Sequence, residues 1–350
     1  MNSYDGVDRI GPFDVVRVLG NGGMGKVYLC RTRAGQQVAV KVIRGELAGI
    51  HEIRERFARE VNALRDVHSP YTVPVYSAET LTPPLWLATR YLAGPTLDVR
   101  VVTSGPLPGR QVAELGAMLA EALAEVHARG VIHRDVKPSN IILEGGEPRL
   151  IDFGIARTAA GTKGLTLPGT ALGTHGYMAP EQLLGREPSP AVDIFALGAV
   201  LAYAATGRPP FGTGQPASAR ILRGGSPRLG GVPAPLAALI TACLATAPTD
   251  RPLPSQLLSA LGARLGGASA SGASASGDGA AERPRRPRQP RQPRQPRQPT
   301  VPVAAPPHRC HVPAASGAGD PCALRPFAAR LLDAGLTRSL VRKAVLHDAR

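Results

Sequence analysis

His133-Arg134-Asp135-Val136-Lys137-Pro138-Ser139-Asn140, followed by Ile141-Ile142-Leu143 and then by Leu150-Ile151-Asp152-Phe153-Gly154, is the stretch on which the reading turns. It places a carboxylate (Asp135), an ammonium (Lys137), an amide (Asn140) and a second carboxylate (Asp152) on one short piece of chain. Moving a phosphoryl group onto a hydroxyl calls for such a set. One carboxylate orients the hydroxyl and takes its proton, hard oxygen donors hold a divalent cation, and cations offset the charge spread over the phosphoryl oxygens. Asp135 suits the first task. Asn140 and Asp152 are oxygen donors of the kind Mg²⁺ prefers, and Lys137 sits on a loop from which it can reach a terminal phosphate.

Upstream, Gly20-Asn21-Gly22-Gly23-Met24-Gly25-Lys26-Val27 fits G-x-G-x-x-G-x-V. Alone that pattern is weak, because a dinucleotide-binding turn shares it. That turn must open a helix, however, and here the glycines lie between strand-like runs. Glycines in a strand–turn–strand let backbone amides approach phosphate oxygens with no Cβ in the way. Val38-Ala39-Val40-Lys41 falls on a following strand. Lysine is scarce, with Lys26, Lys41, Lys137, Lys163 and Lys343 among 41 basic residues. A Lys kept against that bias marks a place that Arg does not fill. Glu60 is the carboxylate expected to hold Lys41; its bland alternative is an exposed charge near Arg56 and Arg59.

The surroundings read as a small β-rich half followed by a helical half, a two-lobed α+β architecture. FDVVRVLG, KVYLCRT and QQVAVKVI are predicted strands, with Arg33-Ala34-Gly35 as a turn. EIRERFAREVNALRD (52–66) is a predicted helix whose stripe is Ile53, Phe57, Val61 and Leu64. Residues 71–92 return to strand-like runs. From residue 110 the pattern is helical, with Gly130 as a C-terminal cap. Aromatics are only 4% of the chain, so the core must be built from Ala, Leu and Val.

Taken together these stretches resemble the eukaryotic-type Ser/Thr protein kinases, and more narrowly those of actinomycetes. HRDVKPSN, IDFGIAR, GTHGYMAPEQ and DIFALGAVLAYAATGRPPF carry the narrower likeness, over about residues 10–262. The resemblance implies a protein-kinase fold whose interlobe cleft takes ATP with Mg²⁺, or Mn²⁺ as an alternative, and a Ser/Thr-bearing protein as acceptor. It implies that Gly20, Gly22 and Gly25 cover the phosphates and that Lys41 pairs with Glu60. Asp135 is then the base, helped by Lys137, and Asn140 and Asp152 hold metal. Leu19, Val27, Ala39, Thr89, Tyr91, Leu92 and Ile142 fall to the nucleotide pocket, with Ala39 and Ile142 on either side of the adenine. The hydroxyl of Thr174 is implied to bond Asp135 and Lys137. Glu181 is implied to pair with Arg251, Asp193 to anchor the catalytic loop, and His133 to pack under Phe153 without transferring protons. Arg134 is implied to receive a phosphate placed on Thr162, Thr166 or Thr170 by autophosphorylation, in a transient homodimer. Arg90, after the gatekeeper Thr89, departs from the Glu common in the family and is expected to alter a ribose or substrate contact.

The composition changes near residue 265. The expected organisation is a kinase domain at 10–264 and an Ala/Ser/Gly linker at 265–282. An Arg/Pro-rich disordered segment follows at 283–323, and a short basic amphipathic helix at 324–350. A three-residue proline period favours polyproline II. Most of the formal charge of +15 comes from this tail, so a general nucleic-acid binder is disfavoured, while weak polyanion or membrane-surface contact through the tail stays open. The surroundings of His308, Cys310, His311 and Cys322 lack a recognised zinc spacing. Cys30, Cys243, Cys310 and Cys322 form no C-x-x-C and read as reduced thiols. With no signal-peptide core in the first residues and no run of 18 apolar residues, the expectation is a cytoplasmic chain. A pseudokinase scaffold would lack Lys41, Asp135 or Asp152, and all three are present.

Overall fold

The computed structural model describes residues 6–22, 25–154 and 174–270, without the side chains of Thr174 and 264–270. Thr162, Thr166 and Thr170, the Arg/Pro-rich segment, the expected helix at 324–350 and the tail cysteines lie outside the described residues.

The first half is one antiparallel sheet of β1 (Arg9–Ile10), β2 (Phe13–Gly22), β3 (Gly25–Arg31), β4 (Gln37–Ile43), β5 (Val75–Glu79) and β6 (Trp86–Arg90), in the order β1-β2-β3-β4-β6-β5. Between β4 and β5 come the short α1 (Gly45–Ala48) and α2 (His51–Arg65). Alternation along the strands gives the sheet two different faces. Tyr28, Cys30, Val38, Val40, Trp86 and Ala88 bury one of them with Phe13. The register sets Val27 opposite Lys41 and Ala39 opposite Thr89, which puts these residues on the other face. Helix α2 buries Ile53, Phe57, Val61 and Leu64, the stripe that its spacing predicts.

The second half contains α3 (Leu97–Ser104), α4 (Gly109–Ala128), a hairpin of β7 (Ile141–Glu144) and β8 (Glu147–Leu150), and α5 (Pro180–Leu183). It continues with α6 (Ala191–Thr206), α7 (Gly214–Leu222), α8 (Ala234–Cys243) and α9 (Pro254–Ala270). Every residue of α6 from Val192 to Ala204 is buried. A helix apolar all round belongs at the centre of a core, and α6 sits there, with α4 and α8 against it. Phe195 and Phe211 stack with centroids 5.9 Å apart, and the remaining core is mostly Ala, Leu, Val and Ile. Gly130 follows α4 with φ 71° and donates its N–H to His127, as a capping glycine does.

Two features differ from the sequence reading. Helix α3 falls in the stretch between residues 92 and 110, to which the sequence reading assigns no element; it is fixed by burial of Leu97 and Val101. Helix α9 runs to Ala270, into the stretch read as linker from residue 265. Its earlier turns are docked on α4 through the buried Leu257 and Leu261, and a helix once nucleated extends cheaply through Ala-rich sequence. Among the described residues, no helix is long and apolar enough to cross a membrane.

Candidate active site

Asp135 lies between the two halves on the loop that follows α4. Its Oδ2 accepts from Lys137 Nζ at 2.7 Å and from Asn140 Nδ2 at 3.1 Å, and Asn140 Nδ2 also bonds its main-chain oxygen at 2.9 Å. The turn Pro138–Asn140, opened by a proline suited to that position, makes this reach-back geometry. The Asn140 amide nitrogen is thus committed to Asp135, and its carbonyl oxygen is the group suited to a cation. The Ile151 N–H donates to the Asn140 main-chain oxygen at 2.9 Å, bringing Asp152 to the same place. An amide oxygen and a carboxylate are a fitting donor pair for Mg²⁺.

Buried carboxylates hold this loop. Asp193, fully buried at the start of α6, accepts from the His133 N–H at 2.8 Å, the Arg134 N–H at 2.7 Å and His127 Nε2 at 2.8 Å. The expected anchoring by Asp193 is therefore present in the geometry, with His127 as a partner the sequence reading missed. Glu181 and Arg251 form a bidentate pair at 2.6 and 2.9 Å, and Arg251 lies over the Phe195 ring at 5.0 Å. Gln182, also missed, donates to the Arg134 main-chain oxygen at 3.1 Å.

His133 donates from Nε2 to the Ile151 oxygen at 3.0 Å and accepts the Asp135 N–H on Nδ1 at 3.3 Å. Complete burial pushes its pKa down, and both ring nitrogens are used. Its centroid is 4.6 Å from that of Phe153. This is a packed, hydrogen-bonded histidine.

Above the loop, Gly20 and Gly22 on β2 and Gly25 on β3 shape the tip of a hairpin in which Gly22 registers with Gly25. A Cβ on Gly25 would stand 1.9 Å from the Val42 oxygen, so only glycine lets the tip lie on β4. Arg44 Nη2 donates to the Gly22 oxygen at 2.9 Å. Leu19, Val27, Ala39, Thr89, Tyr91 and Ile142 are half-buried, and Leu92 is buried. Thr174 begins the turn Thr174–Tyr177; the contact expected of its hydroxyl lies outside the described side chains.

One expected pair is not formed. Lys41 Nζ is 3.4 Å from Asp152 Oδ1, and Glu60 Oε1 is 2.5 Å from Arg134 Nη1. Arg134 extends from a left-handed backbone, φ 64°, and both side chains of this pair are only 15% exposed. A guanidinium is more weakly hydrated than an ammonium and loses less on burial, which favours Arg134 as the partner here. Burial outweighs that attraction and holds the Glu60 carboxyl above its usual range. Asp152 is left-handed too, φ 60°, in keeping with backbone strain concentrated at functional sites. Arg90 registers opposite Val38, on the sheet face away from Thr89, and binds Glu144.

The protein kinase domain model matches residues 13–260. The chain belongs to the protein kinase family. It is 44% identical over 265 residues to the serine/threonine-protein kinase AfsK of Streptomyces coelicolor, covering 75% of this chain and 33% of that protein. It is 46% identical over 255 residues to PkwA of Thermomonospora curvata, covering 72% of this chain and 34% of that one. The chain thus spans about a third of the length of these curated relatives. The crystal structure of the PknI kinase domain from Mycobacterium tuberculosis superposes with a TM-score of 0.59 at 28% identity, over 75% of this chain and 100% of that one. The two-lobed kinase fold, and a family that works with ATP and a divalent metal, are thereby established.

Proposed function

We propose that this domain transfers the γ-phosphoryl group of ATP to Ser and Thr hydroxyls of proteins. The carrying observation is the arrangement around Asp135, where one carboxylate is held by Lys137 and Asn140 beside Asp152. Asp135 orients the acceptor hydroxyl and takes its proton as the new oxygen–phosphorus bond forms. The bond from the γ-phosphorus to the bridging oxygen breaks, and ADP leaves. Lys137 and Lys41 supply positive charge to the phosphoryl oxygens. Asn140 and Asp152 would hold Mg²⁺ or Mn²⁺, which neutralises charge on the phosphates when bound. Gly20, Gly22 and Gly25 bring backbone to the phosphates, while Val27, Ala39 and Ile142 enclose the base with Leu19, Thr89, Tyr91 and Leu92. Lys137, two residues after Asp135, supports Ser/Thr rather than Tyr as acceptor, as do the names of the relatives.

In this reading the ion pairs exchange partners on activation. With Asp152 engaged in holding the divalent metal, Lys41 would be left for Glu60. Phosphate on Thr166 or Thr170, placed by a second copy of the chain, competes with Glu60 for Arg134, because a guanidinium takes phosphate oxygens bidentately. The kinase unit is taken as 10–264 with its last helix, in a compartment where ATP is available and Cys30 and Cys243 stay reduced, the cytoplasm. The basic tail adds weak contact with polyanions or an anionic membrane surface.

Incubation with ATP, Mg²⁺ and a generic protein acceptor, with phosphosite mapping, tests this reading. Phosphate on Ser or Thr of the acceptor and on a Thr between Asp152 and Glu181 is expected, and Lys41→Met should abolish both. Full activity in a Thr162/Thr166/Thr170 triple-Ala variant would remove the autophosphorylation step, and no transfer by the wild type would remove the whole reading.

A further inference from the structure

Arg90 and Glu144 form a bidentate ion pair between the two halves, beside residues 91–96, the hinge that joins them. Arg90 closes β6, the last strand of the first half. Its Nη1 donates to Glu144 Oε1 at 3.0 Å and its Nη2 to Oε2 at 2.7 Å, two parallel bonds of the fork-to-fork kind. Glu144 closes β7 in the second half. It lies two residues beyond Ile142 and so on the same face of that strand.

The connection between Arg90 and α3 is fastened to β7 at its far end as well. The Leu143 N–H donates to the Pro95 oxygen at 2.9 Å, and Thr96 bridges to Ile142. A Cβ on Gly94 would stand 2.3 Å from the Leu143 oxygen, so the connection lies directly on the strand. Tyr91 to Gly94 are therefore held between two attachments to β7, one ionic and one through the main chain. Glu144 is shared further. Arg149 Nε donates to its Oε2 at 3.3 Å, Arg149 Nη2 is 3.1 Å from Glu147, and Arg149 Nη1 donates to the Pro70 oxygen. One carboxylate thus joins the hinge, the β7–β8 hairpin and the segment between α2 and β5. The two guanidiniums hold the Glu144 carboxyl below its usual range.

We infer that Arg90 and Glu144 are positioning residues for the nucleotide, a clamp that keeps the hinge seated on β7 above Ile142 and so sets the affinity for ATP. The inference rests on the kinase reading of this cleft. Exposed ion pairs commonly add little to stability. This one is placed where its effect falls on hinge position. A nucleotide that binds only the seated hinge has its apparent affinity reduced by the fraction of molecules in that state. Arg90 faces away from the cleft, so its effect on ATP is transmitted through the backbone.

The test is a double-mutant cycle on the full chain with Arg90→Ala, Glu144→Ala and the double variant. Mg·ATP affinity is measured by titration, kcat at saturating ATP and Tm alongside. Each single variant should weaken ATP binding about two- to five-fold, the size of effect a pair of this kind exerts. The double variant should be no weaker than the worse single one, and kcat should stay within about twofold. Arg90→Lys, which keeps the charge but loses the fork, should fall between wild type and Arg90→Ala. Unchanged affinity in both single variants, even with a lowered Tm, overturns the clamp, and so does additive behaviour in the double. Tighter binding or a raised kcat overturns it as well, by showing a restraint instead of a seat. Failure of the wild type to bind Mg·ATP would overturn the kinase reading and the clamp with it, whereas wild-type binding with unaffected variants removes the clamp alone.

Discussion

Glu60 and Arg134 meet at 2.5 Å although 74 residues separate them, and the proposed kinase reading gives each of these charges a different partner in the active arrangement. Helix α2 carries the one and the loop after α4 the other, so the pair is a tie between the halves of the molecule. Asp152 meanwhile neutralises Lys41 at 3.4 Å. Both pairings differ from those that the proposed phosphoryl transfer uses.

Glu60 gives a pH dependence of defined sign. Its carboxyl is held above the usual glutamate value, chiefly by burial, with Arg134 pulling the other way. A group raised in the folded state contributes stability that is fully present below its unfolded pKa and is lost as the pH rises through the folded one. From the ordinary glutamate range up to that raised value, wild type should lose stability from this source on raising the pH. Glu60→Gln cannot ionise and should not. Urea midpoints of the two proteins across this window should diverge accordingly; a difference independent of pH would contradict the assignment.

Arg251 and Glu181 are a structural pair at 0% and 8% side-chain exposure. Arg251→Ala leaves a buried carboxylate without its partner and should cost about 3–5 kcal/mol. Guanidinium denaturation measures this directly, and a loss under about 1 kcal/mol would be inconsistent with the burial and the bidentate geometry.

Cys30 and Cys243 are buried free thiols, pushed up by burial to about 11 and about 12. The reactive thiolate is scarce at neutral pH for such groups. In a Cys310→Ser/Cys322→Ser background, both should resist alkylation in the native protein and react fully in denaturant, as read by mass spectrometry. Prompt native labelling of either would show that its strand or helix opens readily.

Removal of residues 271–350 should leave ATP-dependent phosphorylation of a generic acceptor within a few-fold of the full chain. The buried contacts of α9 on α4, Leu257 and Leu261, all precede the cut. A folded but inactive truncated protein would make the tail part of the catalytic unit.

Much of this was legible in the sequence because it is local. The stripe of α2 follows from 3.6-residue spacing, the early strands from alternation between turn residues, and the Asp135–Lys137–Asn140 cluster from six consecutive residues. Contacts between distant residues were harder. Sequence points Glu60 to Lys41, with Arg56 and Arg59 as its near neighbours, and gives no sign of Arg134; that pairing depends on where α2 sits over the loop and on the lower desolvation cost of a guanidinium. Arg90 was noticed as a departure, but strand register alone sends it away from the cleft and toward Glu144, 54 residues on. His127 and Gln182 carry no signal of their own; each gains its role from a partner supplied by another helix or loop.

The most direct test of the central claim compares wild type with Asp135→Asn in transfer of labelled γ-phosphate from Mg·ATP to a protein acceptor, with identification of the labelled amino acids. Asp135→Asn keeps the shape of the side chain and removes the base, so the rate should fall about 10²-fold or more while Tm is nearly kept. The wild-type label should lie on Ser and Thr. Equal rates in the two proteins, or label from the wild type on tyrosine alone, would contradict the account.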